Sequence, residues 1–76
     1  MNCLEYIKSL NCNYEKNNGT INFYYFGILF SVKEPTEEEH GYIRYKHKLL
    51  SDTFFSTKIK DNNSFKNKFE RILASA

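Results

Sequence analysis

The two histidines, His40 and His47, are the side chains of this 76-residue chain best suited to acid–base chemistry, because imidazole titrates near neutral pH. Neither has a sequence partner that identifies a nucleophile–base pair. His40 precedes Gly41 at the end of a predicted loop, where it is free to act as a general base. His47 falls in an alternating stretch and is predicted to be a core or rim histidine. We therefore predict no catalytic residue and a protein that is not an enzyme.

Metal and cofactor chemistry is not predicted either. The cysteines, Cys3 and Cys12, fit no C-x-x-C or zinc spacing, and two such thiols inside a cell are expected to be reduced and partly buried. An acidic block of Glu34 and residues 37–39 lacks the spaced oxygen ligands and the glycine turn of a calcium loop. We expect these glutamates to repel one another into solvent, and we predict no metal and no cofactor.

A set of cationic and aromatic side chains is the better functional candidate. It lies in HGYIRYKHKLL, from His40 to Leu50, where alternate residues separate into two faces, as in a half-buried β-strand. The apolar face comprises Ile43, Tyr45, His47 and Leu49, and the other face comprises Tyr42, Arg44, Lys46 and Lys48. The second face is the one that would meet solvent or a partner.

Further lysines join this face if residues 42–50 and 53–60 pair as strands through a turn at Ser51-Asp52. The predicted partner-binding residues are then Tyr42, Arg44, Lys46, Lys48, Lys58 and Lys60, with Tyr24 nearby. Lysines beside aromatic rings bind phosphates and stack on bases, and they also suit an acidic protein surface. A third interpretation is that the lysines protect a sheet face and its edge from aggregation. All three interpretations stay open on the sequence.

The composition restricts the class of protein. At this length we expect one domain over residues 1–76, as a monomer or homodimer, with a core built from 7 Phe and 6 Tyr. The net charge is only +2, although residues 42–76 contain eight cationic and three acidic side chains. The first ten residues contain no long apolar run, which predicts no signal peptide, no membrane span and a cytoplasmic location.

The N-terminal half predicts a helix followed by strands. Asn2 is predicted to cap the first helix, with Glu5 three residues later as in a capping box. Asn18-Gly19 between two β-prone runs predicts a hairpin turn. The run from Thr20 to Lys33 is apolar on both faces in its middle, which predicts one long central strand with a bulge or close backbone approach at Gly27.

The C-terminal half predicts two more strands and a helix. Residues 34–41 form a predicted loop ahead of the strand at 42–50. Ser64 is the predicted N-cap of a closing helix. The apolar stripe of that helix, spaced i, i+4, i+7 and i+8, is Phe65, Phe69, Ile72 and Leu73. The predicted fold is therefore two-layer α+β: an N-terminal helix, an antiparallel sheet of three to four strands and a C-terminal helix.

The size, the lysine- and asparagine-rich, alanine-poor composition and this helix–strands–helix layout resemble the small phage-encoded proteins that act against bacterial defences, among them the anti-CRISPR inhibitors. The resemblance extends over the whole chain. It implies a non-enzymatic protein that binds a larger host protein or ribonucleoprotein complex in the host cytoplasm and blocks it. Many such inhibitors imitate DNA with dense acidic surfaces. Here the acidic block is confined to residues 34–39, so the expected target is a protein surface and not a DNA channel.

A second resemblance is to the small toxin ribonucleases that have a helix–three strands–helix fold. Those enzymes carry a glycine-flanked histidine on a strand, and His40-Gly41 resembles that pair, although the surrounding motif differs. The alternative function is therefore a nucleic-acid-binding protein or a small ribonuclease that uses His40.

Overall fold

A computed structural model describes residues 2–47 and 52–75, which form an α+β fold. The elements in chain order are α1 (Cys3–Ser9), β1 (Tyr14–Asn17), β2 (Thr20–Tyr25), β3 (Ile28–Lys33), β4 (Gly41–His47), β5 (Phe55–Ile59) and α2 (Asn62–Ser75). The strands form one antiparallel sheet in the order β1-β2-β3-β4-β5, so each strand pairs with its neighbours in the sequence. The predicted helix–sheet–helix layout is confirmed, but the described residues form five strands where three to four were predicted.

The predicted hairpin at Asn18-Gly19 is confirmed. These two residues connect β1 to β2 with φ values of 50° and 80°. Positive φ at both central positions is the geometry of a type I′ turn, whose twist matches that of the two strands. Asn and Gly are the residues that adopt this conformation most readily, which explains why the sequence identified the turn.

The prediction of one long strand from Thr20 to Lys33 is wrong. Phe26-Gly27 forms a second turn with positive φ at both positions, 50° and 76°, and separates β2 from β3. The aromatic side chain at position 26 concealed the turn, because phenylalanine is disfavoured at positive φ. The inward positions nevertheless change from odd to even numbers across it, from Ile21 and Phe23 to Ile28 and Phe30. That change of phase is a signal of the turn in the sequence.

Both helices pack on the same face of the sheet and enclose one apolar cluster. Its fully or nearly fully buried members are Cys3, Ile7, Ile21, Phe23, Ile28, Phe30, Val32, Ile43, Ile59, Phe65, Phe69 and Ile72. Phe69 of α2 lies over the centre of the sheet, with its ring centroid 4.8 Å from that of Phe30 and 5.9 Å from that of Phe23. The predicted stripe of α2 is confirmed, with Leu73 partly buried at its margin.

One of the two predicted helix caps is confirmed. The Asn2 side chain accepts a hydrogen bond from the Glu5 backbone N–H at 2.8 Å, as an N-cap does. Ser64, however, is not the cap of α2. Asp61 occupies that position, because its Oδ1 accepts from the Ser64 backbone N–H at 2.8 Å and α2 begins at Asn62. The sequence contains several capping residue types in a row at this point, so residue type alone did not select among them.

The loop between β3 and β4 is confirmed, but its glutamates do not behave alike. Residues 37–39 are exposed as expected. Glu34 is instead half-buried, and its Oε1 accepts from the Leu4 backbone N–H at 3.2 Å in the first turn of α1. A carboxylate is stabilised there by the positive end of the helix dipole. Glu34 therefore joins the loop to α1.

Candidate partner-binding face

The face of the sheet opposite the helices is the surface on which four of the six predicted partner-binding residues lie. No element among residues 2–47 and 52–75 covers it, and we call it the open face. Cross-strand register arranges its side chains in three rows. The Tyr42 row is Asn17, Thr20, Lys33, Tyr42 and Lys58; the Arg44 row is Glu15, Asn22, Ser31, Arg44 and Ser56; the Lys46 row is Tyr24, Leu29 and Lys46.

Four of the predicted partner-binding residues come together on this face. Tyr42, Arg44 and Lys46 project from β4, and Lys58 of β5 is paired directly with Tyr42. Lys60 lies one residue beyond the end of β5 and outside the cross-strand register. Lys48 is outside the residues that the structure describes. The predicted alternation of residues 42–47 is thus found in the structure, with Ile43 and Tyr45 directed to the core.

Phe54, which is not among the predicted site residues, organises the cationic part of the open face. Its ring centroid lies 4.9 Å from the Arg44 guanidinium carbon and 5.2 Å from the Lys46 ammonium nitrogen. Cation–π attraction of this kind contributes about 0.5–1 kcal/mol per pair at an exposed site. Phe54 and Lys58 are four residues apart in the predicted strand, so alternation places both side chains on the same face. That spacing is the sequence signal for Phe54 on this face. The two cations are therefore held beside one aromatic ring.

A groove lies on the same open face, at the end away from β5, and crosses β1, β2 and β3. Its volume is about 390 Å³. Five side chains in or next to the outward register border it: Asn13, Glu15, Asn22, Tyr24 and Leu29. Tyr24 and Leu29 supply apolar surface, and Glu15 supplies a carboxylate. The open face therefore has an acidic, concave side at β1 and a cationic side at β4 and β5.

Neither histidine lies on the open face. His47 is half-buried on the helix-facing side of β4, opposite Ile28, which agrees with the predicted rim position. His40 is exposed in the loop that precedes β4. Within the described ranges, no three His, Cys, Asp or Glu side chains are grouped in a way that could hold a metal ion. The absence of catalysis stays a prediction.

The cysteines are free thiols, with Cys3 buried and Cys12 half-buried. Cys3 is fully buried in the core, and this desolvation, reinforced by the nearby Glu34 carboxylate, raises the pKa of its thiol to about 12. Burial also raises the pKa of the Cys12 thiol. Because the thiolate is the nucleophile and the metal ligand, the raised pKa of Cys3 disfavours either role for this buried thiol. Cys3 instead donates its backbone N–H and its thiol to Asn62 Oδ1, at 3.2 and 3.3 Å, and so connects α1 to α2.

Comparison with known proteins identifies no relative. No protein-family model, no curated protein and no solved structure matches this chain. In the part of the chain that the structure describes, neither helix has the length and apolar character needed to cross a bilayer. The open face is therefore interpreted on its own geometry.

Proposed function

We propose that this chain is a small, non-enzymatic binding protein that attaches to a host protein complex through the cationic side of its open face. The observation that carries this proposal is the placement of Arg44 and Lys46 around Phe54 on an uncovered sheet surface. A phage-type inhibitor of bacterial defence is the form of this function that agrees with the size and composition of the chain. Its partner is a protein or ribonucleoprotein complex of the host cytoplasm.

Protection of a sheet edge explains only part of the cationic surface. Lys58 lies on β5, an edge strand, where a lysine discourages the pairing of another chain. The Lys68 ammonium also donates to the Lys58 carbonyl oxygen and so covers a backbone acceptor there. Arg44 and Lys46, however, lie on β4, which has strands on both sides. Edge protection gives no reason for cations at these two interior positions, which favours binding.

The charge of the open face favours an acidic protein surface over nucleic acid. Glu15 lies in the same row as Arg44, and the net charge of the chain is only +2. Affinity for a phosphate backbone grows with the number of phosphates that cationic side chains neutralise, and a carboxylate on the same face reduces the net positive charge available for this. A protein surface with separate acidic and apolar parts accommodates this mixture, because complementary charge and aromatic anchors are what protein interfaces use.

The proposal is tested by reversing charge on the open face. Arg44→Glu combined with Lys46→Glu should leave the chain folded, because loss of the two contacts with Phe54 costs about 1–2 kcal/mol, which is less than the total stability of about 4–11 kcal/mol expected for a chain of this size. The matched control is Lys66→Glu combined with Arg71→Glu, two exposed positions on α2 with the same change of charge. The readout is the plating efficiency of a defence-sensitive phage on a panel of defence-carrying bacteria that express each variant.

We expect the parent and the Lys66→Glu, Arg71→Glu control to restore plating of the phage on at least one strain of the panel. On that strain, the plating efficiency with the Arg44→Glu, Lys46→Glu variant should be at least tenfold lower than with the parent. Equal activity of the open-face pair and the parent would show that these cations only protect the sheet. Failure of the parent on every strain would reject the inhibitor function itself.

The nucleic-acid alternative is examined with a labelled single-stranded oligonucleotide. If it holds, the affinity for the oligonucleotide falls log-linearly with salt, with a slope set by the number of phosphates that are neutralised. The ribonuclease form also requires His40→Ala to abolish RNA cleavage without affecting binding. We expect neither result.

A further inference from the structure

One row of the open face carries a carboxylate and a guanidinium three strands apart, while Lys33, Lys46 and Lys58 lie in the other two rows. Glu15 on β1, Asn22 on β2, Ser31 on β3 and Arg44 on β4 are successive cross-strand partners. With strands about 4.8 Å apart, the acidic and cationic positions are separated by roughly 14 Å. The midpoint of the row falls between β2 and β3. An arrangement with opposite charges at equal distances from a central line is complementary to itself.

A two-fold axis along that central line shows the complementarity. The axis runs parallel to the strands, in the plane between two copies whose open faces meet. It places β1 over β4 of the second copy and β2 over β3, and it keeps each row at its own height. Glu15 of the first copy then faces Arg44 of the second copy, and Arg44 of the first copy faces Glu15 of the second copy. In the Lys46 row, Tyr24 of each copy faces Leu29 of the other, because these two residues are cross-strand partners on β2 and β3.

The same arrangement places a groove on one copy opposite cationic side chains of the other. The groove across β1, β2 and β3, with Glu15 on its margin, is concave and has a volume of about 390 Å³. The Arg44, Lys46 and Phe54 cluster is held together by its ring contacts on the opposite side of the face. The two-fold operation brings Arg44 and Lys46 of each copy to the groove of the other copy, while Phe54 lies beside β5 at the margin of the facing strands. Aligned packing of two sheets, within about 30° of parallel, is a common arrangement for such faces.

We propose that two copies of this chain associate through their open faces as a two-fold symmetric dimer, with Glu15 of each copy paired to Arg44 of the other. From the strand spacing and the rise per residue, each face measures on the order of 450 Å². Two copies therefore bury roughly 900 Å², below the approximately 1,200–2,000 Å² of standard stable interfaces. The dimer is accordingly weak and reversible, in the micromolar range. Lys58 on β5 lies outside the facing strands and has no like charge opposite it.

This dimer goes beyond the proposed function and does not rest on it. Self-association and attachment to a host partner use overlapping surfaces, so they compete. The two are separated at Glu15, which the dimer needs and the cationic partner-binding residues do not include. Loss of the dimer in a Glu15 variant with partner binding retained would therefore support the dimer and leave the proposed function standing.

The test is analytical ultracentrifugation of the whole chain between roughly 10 and 500 µM, a range that brackets a micromolar dissociation constant. We expect the weight-average mass to rise with concentration from 9.1 kDa toward twice that value. Glu15→Arg or Arg44→Glu alone should raise the dissociation constant at least tenfold, because each substitution acts twice in a symmetric dimer. The double variant, Glu15→Arg with Arg44→Glu, exchanges the charges and should recover dimerisation.

Lys66→Glu on α2 is the matched control and should dimerise like the parent. Circular dichroism establishes that each variant is folded, and Glu15→Gln replaces Glu15→Arg if the reversed charge lowers the melting temperature. A parent chain that is monomeric at the highest concentration in about 50 mM salt would overturn the proposal. A double variant no better than the single variants, or a control that also loses the dimer, would overturn it as well.

Discussion

Truncation of Phe69 is the most direct test of the core. Its side chain is fully buried, and its ring lies within 6 Å of those of Phe30, Phe65 and Phe23 at centroid distances of 4.8, 5.6 and 5.9 Å. It also lies 5.7 Å from the Tyr6 ring of α1. Phe69 therefore joins both helices to the centre of the sheet, and Phe69→Ala leaves a cavity at the point where all three meet.

The magnitude follows from burial and from the size of the chain. Removal of a buried phenylalanine costs about 3–5 kcal/mol, through lost apolar transfer and the remaining cavity. A chain of 76 residues has a total free energy of unfolding of about 4–11 kcal/mol at typical values per residue. Phe69→Ala should therefore remove between about a quarter of the stability and all of it.

The assay is urea denaturation followed by far-ultraviolet circular dichroism. With a denaturant slope of about 1 kcal/mol/M, the midpoint should fall by about 3 M or more, or the variant should already be unfolded without urea. Phe55→Ala is the control, because Phe55 is half exposed and its one described ring contact is a stack on Tyr45 at 5.6 Å. We expect it to cost about 1.5 kcal/mol or less. Equal midpoints for the two variants would refute the central position of Phe69.

Two further predictions concern the backbone. Gly41→Ala should lower the free energy of unfolding by about 1–3 kcal/mol and the urea midpoint accordingly. A Cβ at position 41 would meet the Lys33 carbonyl oxygen and lie 2.7 Å from the Pro35 nitrogen, and these backbone atoms cannot move aside easily. A urea denaturation curve identical to that of the parent would contradict this close approach. The hydrogen bond from the Ser64 backbone N–H holds the pKa of Asp61 below its usual range. The ionised carboxylate therefore stabilises the fold at pH values above the unfolded-state pKa. This contribution is lost as the pH falls through the lower pKa of the folded state. Asp61→Asn keeps the acceptor without the titration, so its melting temperature should match that of the parent at pH 7 and fall less between about pH 5 and pH 2; parallel pH profiles would exclude Asp61 as a source of acid sensitivity.

Local sequence patterns predicted the elements whose geometry depends on one or two residues. The Asn2 cap, the Asn18-Gly19 turn and the inward stripe of α2 follow from side-chain chemistry or helical spacing, and the structure contains all three. The Phe26-Gly27 turn was not predicted because phenylalanine has a low intrinsic preference for positive φ. Phe26 adopts positive φ because it connects β2 and β3, which pair with each other. Tertiary context overrode the local preference at that position.

The composition of the open face was predictable only in part, for a related reason. Alternation placed Tyr42, Arg44 and Lys46 on one face, because a strand has a period of two. The contact of Arg44 and Lys46 with Phe54, and the groove that includes Glu15, depend on which strands are neighbours. An additional turn at Phe26-Gly27 created an additional strand, and strand number decides which residues share a row. The error in the fold therefore concealed half of the face.

The connection between Cys3 and Asn62 bears on when this chain can fold. All the strand pairs are local, so the hairpins can form early and independently. Their inward side chains, however, stay exposed until α1 and α2 arrive together from positions 59 residues apart in the chain. Closing such a loop costs entropy that only the finished core repays. During synthesis the sheet would present its apolar face until α2 leaves the ribosome, so we expect the core to close only after α2 has been synthesised, even where hairpins have formed before.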